Sequence, residues 1–283
     1  FGGNPTTAIT EAYNGTSWTE VNDLNVARRF IQGAGTQTSA LAAGGVPTTA
    51  ATESWNGTSW TEVGDLNTAR GYGAGVGADN TAALVFGGEV PDRAITELWN
   101  GSAWTEVANM NTGRQQLAGA GTSTSGIAIS GASDTGATIV ANAETWNGSS
   151  WTEVADLNAG RMDLGGTGTD STSALGFGGA NPNGAAALAT NEEWNGSSWS
   201  ETTNLNTARR QVGGAGTTTA GLAFAGETPG GVTAATEEWI GPGQPIGAWS
   251  TGGSLNTARS GLGGAGTQTA ALAFGGRTPP ATR

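Results

Sequence analysis

WNGTSWTEVGDLNTAR, residues Trp55–Arg70, decides the fold, because it returns with small changes along the whole chain. Near-copies run from Tyr13 to Arg28, Trp99 to Arg114, Trp146 to Arg161 and Trp194 to Arg209, and a stretched copy runs from Trp239 to Arg259. In each copy the second aromatic (Trp18, Trp60, Trp104, Trp151, Trp199, Trp249) precedes the arginine (Arg28, Arg70, Arg114, Arg161, Arg209, Arg259) by ten residues. Leu24, Leu66, Met110, Leu157, Leu205 and Leu255 stand four before those arginines. Successive second tryptophans are 42, 44, 47, 48 and 50 residues apart. A period of roughly 40 to 50 residues, rich in Gly and aromatics, is that of four-stranded propeller blades.

One unit resolves into four strands. After Arg70 comes GYGAGVGA, small residues suited to an innermost strand crowded around an axis. TAALVFGG (81–88) reads as an apolar strand closed by a glycine pair, AITELWN (94–100) as an alternating strand, and AWTEV (103–107) as the outer strand. Asn-Gly joins the last two strands at Asn14, Asn56, Asn100, Asn147 and Asn195, which predicts two-residue type I′ hairpin turns. The same letters match the Asn-x-Ser/Thr glycosylation sequon, but the turn already calls for them. Glycine pairs at 44–45, 87–88, 178–179 and 275–276 mark places where the backbone bends or meets a neighbour without a Cβ.

Arg70, Phe86-Gly87-Gly88, Trp99 and Trp104, with their equivalents in each unit, resemble the kelch repeat over essentially the whole chain. The resemblance implies an all-β, six-bladed kelch-like β-propeller with four antiparallel strands per blade. Phrases such as WNGTSWTEV are also similar to repeats of virion structural proteins of marine, cyanophage-like tailed phages. The chain opens on Phe1-Gly2-Gly3 and closes on Phe274-Gly275-Gly276. N-terminal strands three and four are therefore expected to pair with C-terminal strands one and two, closing the ring, with residues 1–3 overhanging. The blades then span about 28–63, 70–107, 114–154, 161–202, 209–251, and 259–283 plus 1–21, one domain of 283 residues. Residue 1 is Phe, so the chain reads as a piece of a longer protein.

In such blades the loops between strands two and three, and from strand four to the next blade, share one face. The 2–3 loop grows from Gly45–Glu53 to the longer spans Gly131–Glu144 and Gly179–Glu192, and length variation on a rigid scaffold is where binding is usually placed. Several kelch propellers use this face for partners, and the resemblance implies the same here, so the candidate ligand-binding residues are Asp92, Arg93, Asp134, Asn142, Asn181 and Asn183; neutral loop drift is the plainer account. On the opposite face Trp239-IGPGQPIGA-Trp249 replaces the Asn-Gly hairpin and is expected to protrude.

Composition narrows the chemistry. Eleven Arg against 23 Asp plus Glu give a net charge of −12, which repels nucleic acid and anionic membrane surfaces. No apolar run approaches the roughly 20 residues of a membrane span, so membrane insertion is not expected. Without His or Cys, Ser-His-Asp and Cys-His nucleophiles and His-ligated zinc are excluded, as are the ligands of the copper oxidase built on a kelch-type ring. Glu192-Glu193 and Glu237-Glu238 are adjacent on strands and point to opposite faces, so neither pair supplies a cooperating acid and base. No calcium-loop spacing appears and no cofactor is indicated, although loop Asp and Asn leave calcium open. Glu11, Glu53, Glu97, Glu144, Glu192 and Glu237 recur in step with the arginines, as expected of structural pairs tethering adjacent blades rather than of a ligand-gripping ring. The tryptophans are expected to pack between sheets rather than stack on sugars. Expected, then, is a non-enzymatic structural or attachment module, virion-borne or extracellular, contacting other virion or surface proteins. A carbohydrate-binding propeller reading host-surface glycan is the alternative, with Tyr72 the one obvious candidate for an exposed aromatic outside the repeat positions; a glycan-active enzyme comes last.

Overall fold

The computed structural model describes residues 5–89, 93–133, 138–181, 186–241 and 247–280. These form six four-stranded antiparallel sheets arranged as a propeller, with two short two-stranded ribbons. Blade 1 comprises Gln32–Thr36, Ser39–Ala43, Thr52–Trp55 and Trp60–Glu62, and blade 2 comprises Ala74–Asp79, Ala82–Phe86, Thr96–Trp99 and Trp104–Val107. Blade 3 follows with Ala118–Gly121, Gly126–Ile129, Ala143–Trp146 and Trp151–Val154. Blade 4 has Gly165–Asp170, Ser173–Phe177, Asn191–Trp194 and Trp199–Glu201; blade 5 has Gly213–Gly216, Ala220–Phe224, Thr236–Ile240 and Ala248–Gly252. Blade 6 joins the two ends of the chain: Gly263–Gly266 and Ala271–Phe274 pair with Thr10–Tyr13 and Trp18–Val21. That shared sheet closes the ring with backbone hydrogen bonds between the two ends of the chain. Residues 1–3 lie outside the described residues.

The second strand of each blade is buried on both sides, as in AALVF of blade 2, because neighbouring sheets cover both its faces. The fourth strand buries only its Trp and exposes the Thr-Glu that follows. Each second Trp fills the wedge between its own sheet and the preceding one. Trp60 lies edge-on to Phe274 at 5.1 Å, Trp151 to Phe86 at 4.9 Å and Trp249 to Phe177 at 5.3 Å. Most of these indole N–H groups also find a partner in the preceding blade: Trp18 donates to Thr236 Oγ1, Trp60 to Thr10, Trp104 to Thr52 and Trp151 to Thr96, each at 3.1 Å. Blade 3 carries Ala143 at that position, and among the described residues the buried Nε1 of Trp199 has no partner. Replacing Ala143 with Thr should satisfy it. The expected gain is about 1 kcal/mol, read as a rise in melting temperature of about 2 °C.

The recurring DLNTAR stretch is a clamp between blades. Its Leu or Met donates its backbone N–H to the blade being left: Leu24 to Ala8, Leu66 to Ala50, Met110 to Ala94, Leu157 to Ala141, Leu205 to Ala189 and Leu255 to Ala234. The next residue, Asn, bonds the blade being entered, as when Asn25 N and Nδ2 both reach Glu53 Oε2 at 2.7 Å. The arginine three residues later ion-pairs with that same Glu. The pairs are Arg28–Glu53, Arg70–Glu97, Arg114–Glu144, Arg161–Glu192, Arg209–Glu237 and Arg259–Glu11, all at most 3% exposed. Among the described residues the guanidinium bonds the blade being entered, so the connector's own link across the seam is made by the Leu or Met amide on one blade and Asn on the next.

The Asn-Gly hairpins differ from the expected type I′ turn. Tyr13 pairs with Trp18 across a four-residue loop, and Gly15 (φ +88°), not Asn14, occupies the left-handed region. Asn14 instead accepts the N–H groups of Thr16 and Ser17 on Oδ1, each at 3.0 Å, and Asn56, Asn100, Asn147 and Asn195 do the same in their loops. The Asn is selected as a side-chain acceptor that caps the loop's amides. In blade 5 the hairpin is lengthened by a further pair, Ile240 with Ala248; 242–246, the middle of the expected protrusion, lie outside the described residues. Tyr13, the one Tyr among the first aromatics, donates to Glu238 Oε1 at 2.5 Å. Burial and then that carboxylate push its phenol up to about 12.

Candidate functional site

At the end of the axis where the connectors enter, one residue per blade turns inward: Phe30, Tyr72, Gln116, Asp163, Gln211 and Gly261, each two positions after its arginine. All six have positive φ, between 50° and 62°. The cause is a closed circle of backbone hydrogen bonds. The N–H of Phe30 donates to Gly261 O, Tyr72 to Phe30, Gln116 to Tyr72, Asp163 to Gln116, Gln211 to Asp163 and Gly261 to Gln211, at 2.6 to 3.3 Å. A second circle runs just outside it in the opposite sense, from the glycine after the apolar strand to the next blade's arginine carbonyl. Gly45, Gly88, Gly131, Gly179, Gly226 and Gly276 donate to Arg70, Arg114, Arg161, Arg209, Arg259 and Arg28 at 2.8 to 2.9 Å. A left-handed residue lets the inner N–H and C=O point along the circle while the side chain is sent toward the axis.

The cavity so enclosed offers about 90 Å³ to the centres of water molecules. Its floor is the next residue of each blade: Ile31, Gly73, Leu117, Leu164, Val212 and Leu262. Its rim is not symmetric. Phe30 and Tyr72 stack at 4.0 Å with an interplanar angle of 27° and form one aromatic wall. Across from them Asp163, 9% exposed, accepts from Gln116 Nε2 at 3.1 Å on Oδ1 and from Gln211 Nε2 at 3.4 Å on Oδ2. Gln211 is fixed from behind: Arg277 Nη2 donates to its Oε1 at 3.0 Å, and the same guanidinium pairs with Glu227 at 2.9 Å, which Arg210 also approaches at 3.3 Å. A hollow of about 180 Å³ lined by Tyr72, Glu89, Gln115 and Gln116 adjoins the rim.

Burial pushes the Asp163 carboxyl above its usual value near 3.8, against the downward pull of Gln116, Gln211, Arg210 and Arg277. A folded-state value raised above the unfolded one means the folded chain holds this proton more tightly. The stability linked to it is fully present below about pH 4 and is lost as pH rises through the folded value. Asp163→Asn removes that loss. The variant is therefore expected to exceed the wild type in denaturation midpoint at pH 7, with the gap narrowing toward pH 4.

Three of the candidate residues taken from the sequence, Arg93, Asn142 and Asn181, sit elsewhere on the same face. Arg93 Nη1 donates to Ser133 O at 2.9 Å, tying the 2–3 loop of blade 2 to that of blade 3. Asn142 donates to Glu153 Oε1 at 2.8 Å, toward the outer strand. Asn181 closes its own loop, its N–H donating to Ala186 O at 3.2 Å. None of these three lines the axial cavity. Asp92, Asp134 and Asn183 lie outside the described residues. Tyr72 does line it, and it occupies a repeat position. The sequence carried a signal for this site: at a fixed register beside six identical arginines, the residue type changes from blade to blade.

No family model matches the chain, and no curated protein matches it by sequence. Among solved structures it is similar to one described as "Structure of YjhT", with a TM-score of 0.70 over 90% of this chain and 92% of that one. Identity is 11%, so the likeness speaks for the six-bladed propeller alone.

Proposed function

We propose that this ring is a non-enzymatic recognition module with kelch-type repeats, carried on an extracellular particle, as a tail, fibre or decoration protein of a phage virion would be. The observation that carries the recognition reading is the axial rim. The arginines, glutamates and second tryptophans of the repeat keep their residue type in step with the symmetry, whereas the rim holds Phe, Tyr, Asp, two Gln and a Gly. Symmetry in a propeller serves the scaffold, and departure from it at a cavity mouth serves a ligand. The virion reading is supported by the wording of the repeats, and the non-enzymatic reading by the lack of His and Cys in these 283 residues. Glycan on a host surface suits the mixed aromatic and amide rim better than nucleic acid does, given a net charge of −12.

The test is a glycan array probed with the purified ring, with and without calcium. Specific binding to one glycan class is the expected result. A blank in both conditions would instead describe a scaffold whose partners are proteins.

A further inference from the structure

We infer that the axial cavity is a subsite for one neutral sugar ring, held between the Phe30–Tyr72 wall and the Gln116–Asp163–Gln211 cluster; this rests on the recognition reading above. Strain selects these side chains. The inner circle of hydrogen bonds needs a left-handed residue in every blade, and glycine meets that need at least cost, as Gly261 does. The other five blades hold side chains there, including two bulky aromatics for which positive φ is a rare and costly conformation. A backbone requirement alone would have been met by six glycines, so the side chains are kept for what they present to the cavity.

Their chemistry is complementary to a pyranose. A sugar ring has an apolar C–H surface for an aromatic wall and hydroxyls that both donate and accept. Asp163 supplies a buried acceptor, already oriented by Gln116 and Gln211, and the two amides supply both donors and acceptors. The aliphatic floor excludes a ligand that is polar all round. Charge argues for neutrality. Among the described residues Asp163 is the one charged side chain lining the cavity and disfavours an anion, while Arg210 and Arg277 act on that same carboxylate and offset its attraction for a cation. Size does not oppose this: about 90 Å³ open to water centres is room for several waters. The adjoining hollow beside Tyr72, Glu89, Gln115 and Gln116 gives a glycosidic continuation somewhere to go.

The experiment is ligand-observed saturation-transfer NMR on the whole chain, using free galactose, glucose, mannose and N-acetylglucosamine, with choline and glucuronate as charged comparisons. At least one neutral sugar should give a signal, and Tyr72→Gly and Asp163→Gly should each reduce it at least tenfold. Melting temperature should stay level or rise, since glycine suits the backbone there; Gln116→Gly is the reserve variant. Silence from all four neutral sugars overturns the proposal, as does a signal from choline or glucuronate alone, or one that survives the glycine variants. The last outcome, paired with a positive glycan array, would move the site to the 2–3 loops and leave the recognition reading intact. A blank array together with a sugar signal lost in the variants would do the reverse.

Discussion

Replacing Glu144 with Ala is expected to lower folding stability by about 3–5 kcal/mol, the penalty for stripping one partner from a buried ion pair. Glu144 is 1% exposed and its carboxylate has several donors. Arg114 Nη2 reaches Oε1 at 2.9 Å, and Asn111 reaches Oε2 through its backbone N at 2.6 Å and its Nδ2 at 2.9 Å. The guanidinium itself holds two carbonyls, Ser130 O at 3.0 Å and Asn142 O at 2.6 Å. Burial pulls the Arg114 pKa below the usual arginine value while Glu144 pulls it back up, so the pair is partly paying for its own desolvation. Removing the Glu strands a buried cation and unties the connector from blade 3.

An apolar swap of both partners often rescues a buried ion pair elsewhere. Here it should not. Arg114→Met with Glu144→Leu would leave the amides of Asn111 and Thr112 and the carbonyl of Ser130 without these partners, so the double variant should remain clearly less stable than the wild type. Glu153→Ala is the control, because its contact with Asn142 is exposed and should cost less than about 1 kcal/mol. Guanidinium denaturation of the three variants decides the matter. A loss below about 1 kcal/mol for Glu144→Ala would mean that the backbone bonds of the connector suffice without the carboxylate.

The blade count, the strand boundaries and the shared sheet could be read from the letters because each rests on local pattern and period. The apolar second strand, the small first strand and the Trp spacing all state their positions within one unit. What could not be read that way depends on the neighbouring blade. Asn25 looks like a turn residue until its side chain is found on Glu53 of the next sheet. Asn14 was expected to adopt positive φ, yet it serves as an acceptor for two loop amides while Gly15 takes the strained geometry. The axial rim is the clearest case. Phe30 and Asp163 share a register two residues after an arginine but no chemistry, and the circle of hydrogen bonds shows what that position does. Loop length pointed to the face that carries the axial cavity, but to side chains that tie loops to each other, such as Arg93 to Ser133.

Gly214→Ala is expected to destabilise the ring by about 1–3 kcal/mol, although it adds a single methyl group. The first strands stand side by side around the axis. A Cβ on Gly214 would lie 2.6 Å from the carbonyl oxygen of Gly166 in blade 4 and 3.0 Å from the ring of Phe177. The same contact recurs around the circle: a Cβ on Gly33 would meet Gly264 O at 2.6 Å, and one on Gly75 would meet Gly33 O at 2.8 Å. Gly214 does not have a positive φ, so alanine's backbone preference is not the obstacle. Space between blades is. Because a backbone oxygen cannot swing aside as a side chain would, relief requires neighbouring blades to spread, and a closed ring transmits that spreading to the inner circle of hydrogen bonds. The effect should therefore appear twice, as a lower denaturation midpoint and as faster amide hydrogen exchange at Gln211 and Gly261, whose N–H groups belong to that circle. Unchanged exchange at those two amides would show that the strain is absorbed within blade 5.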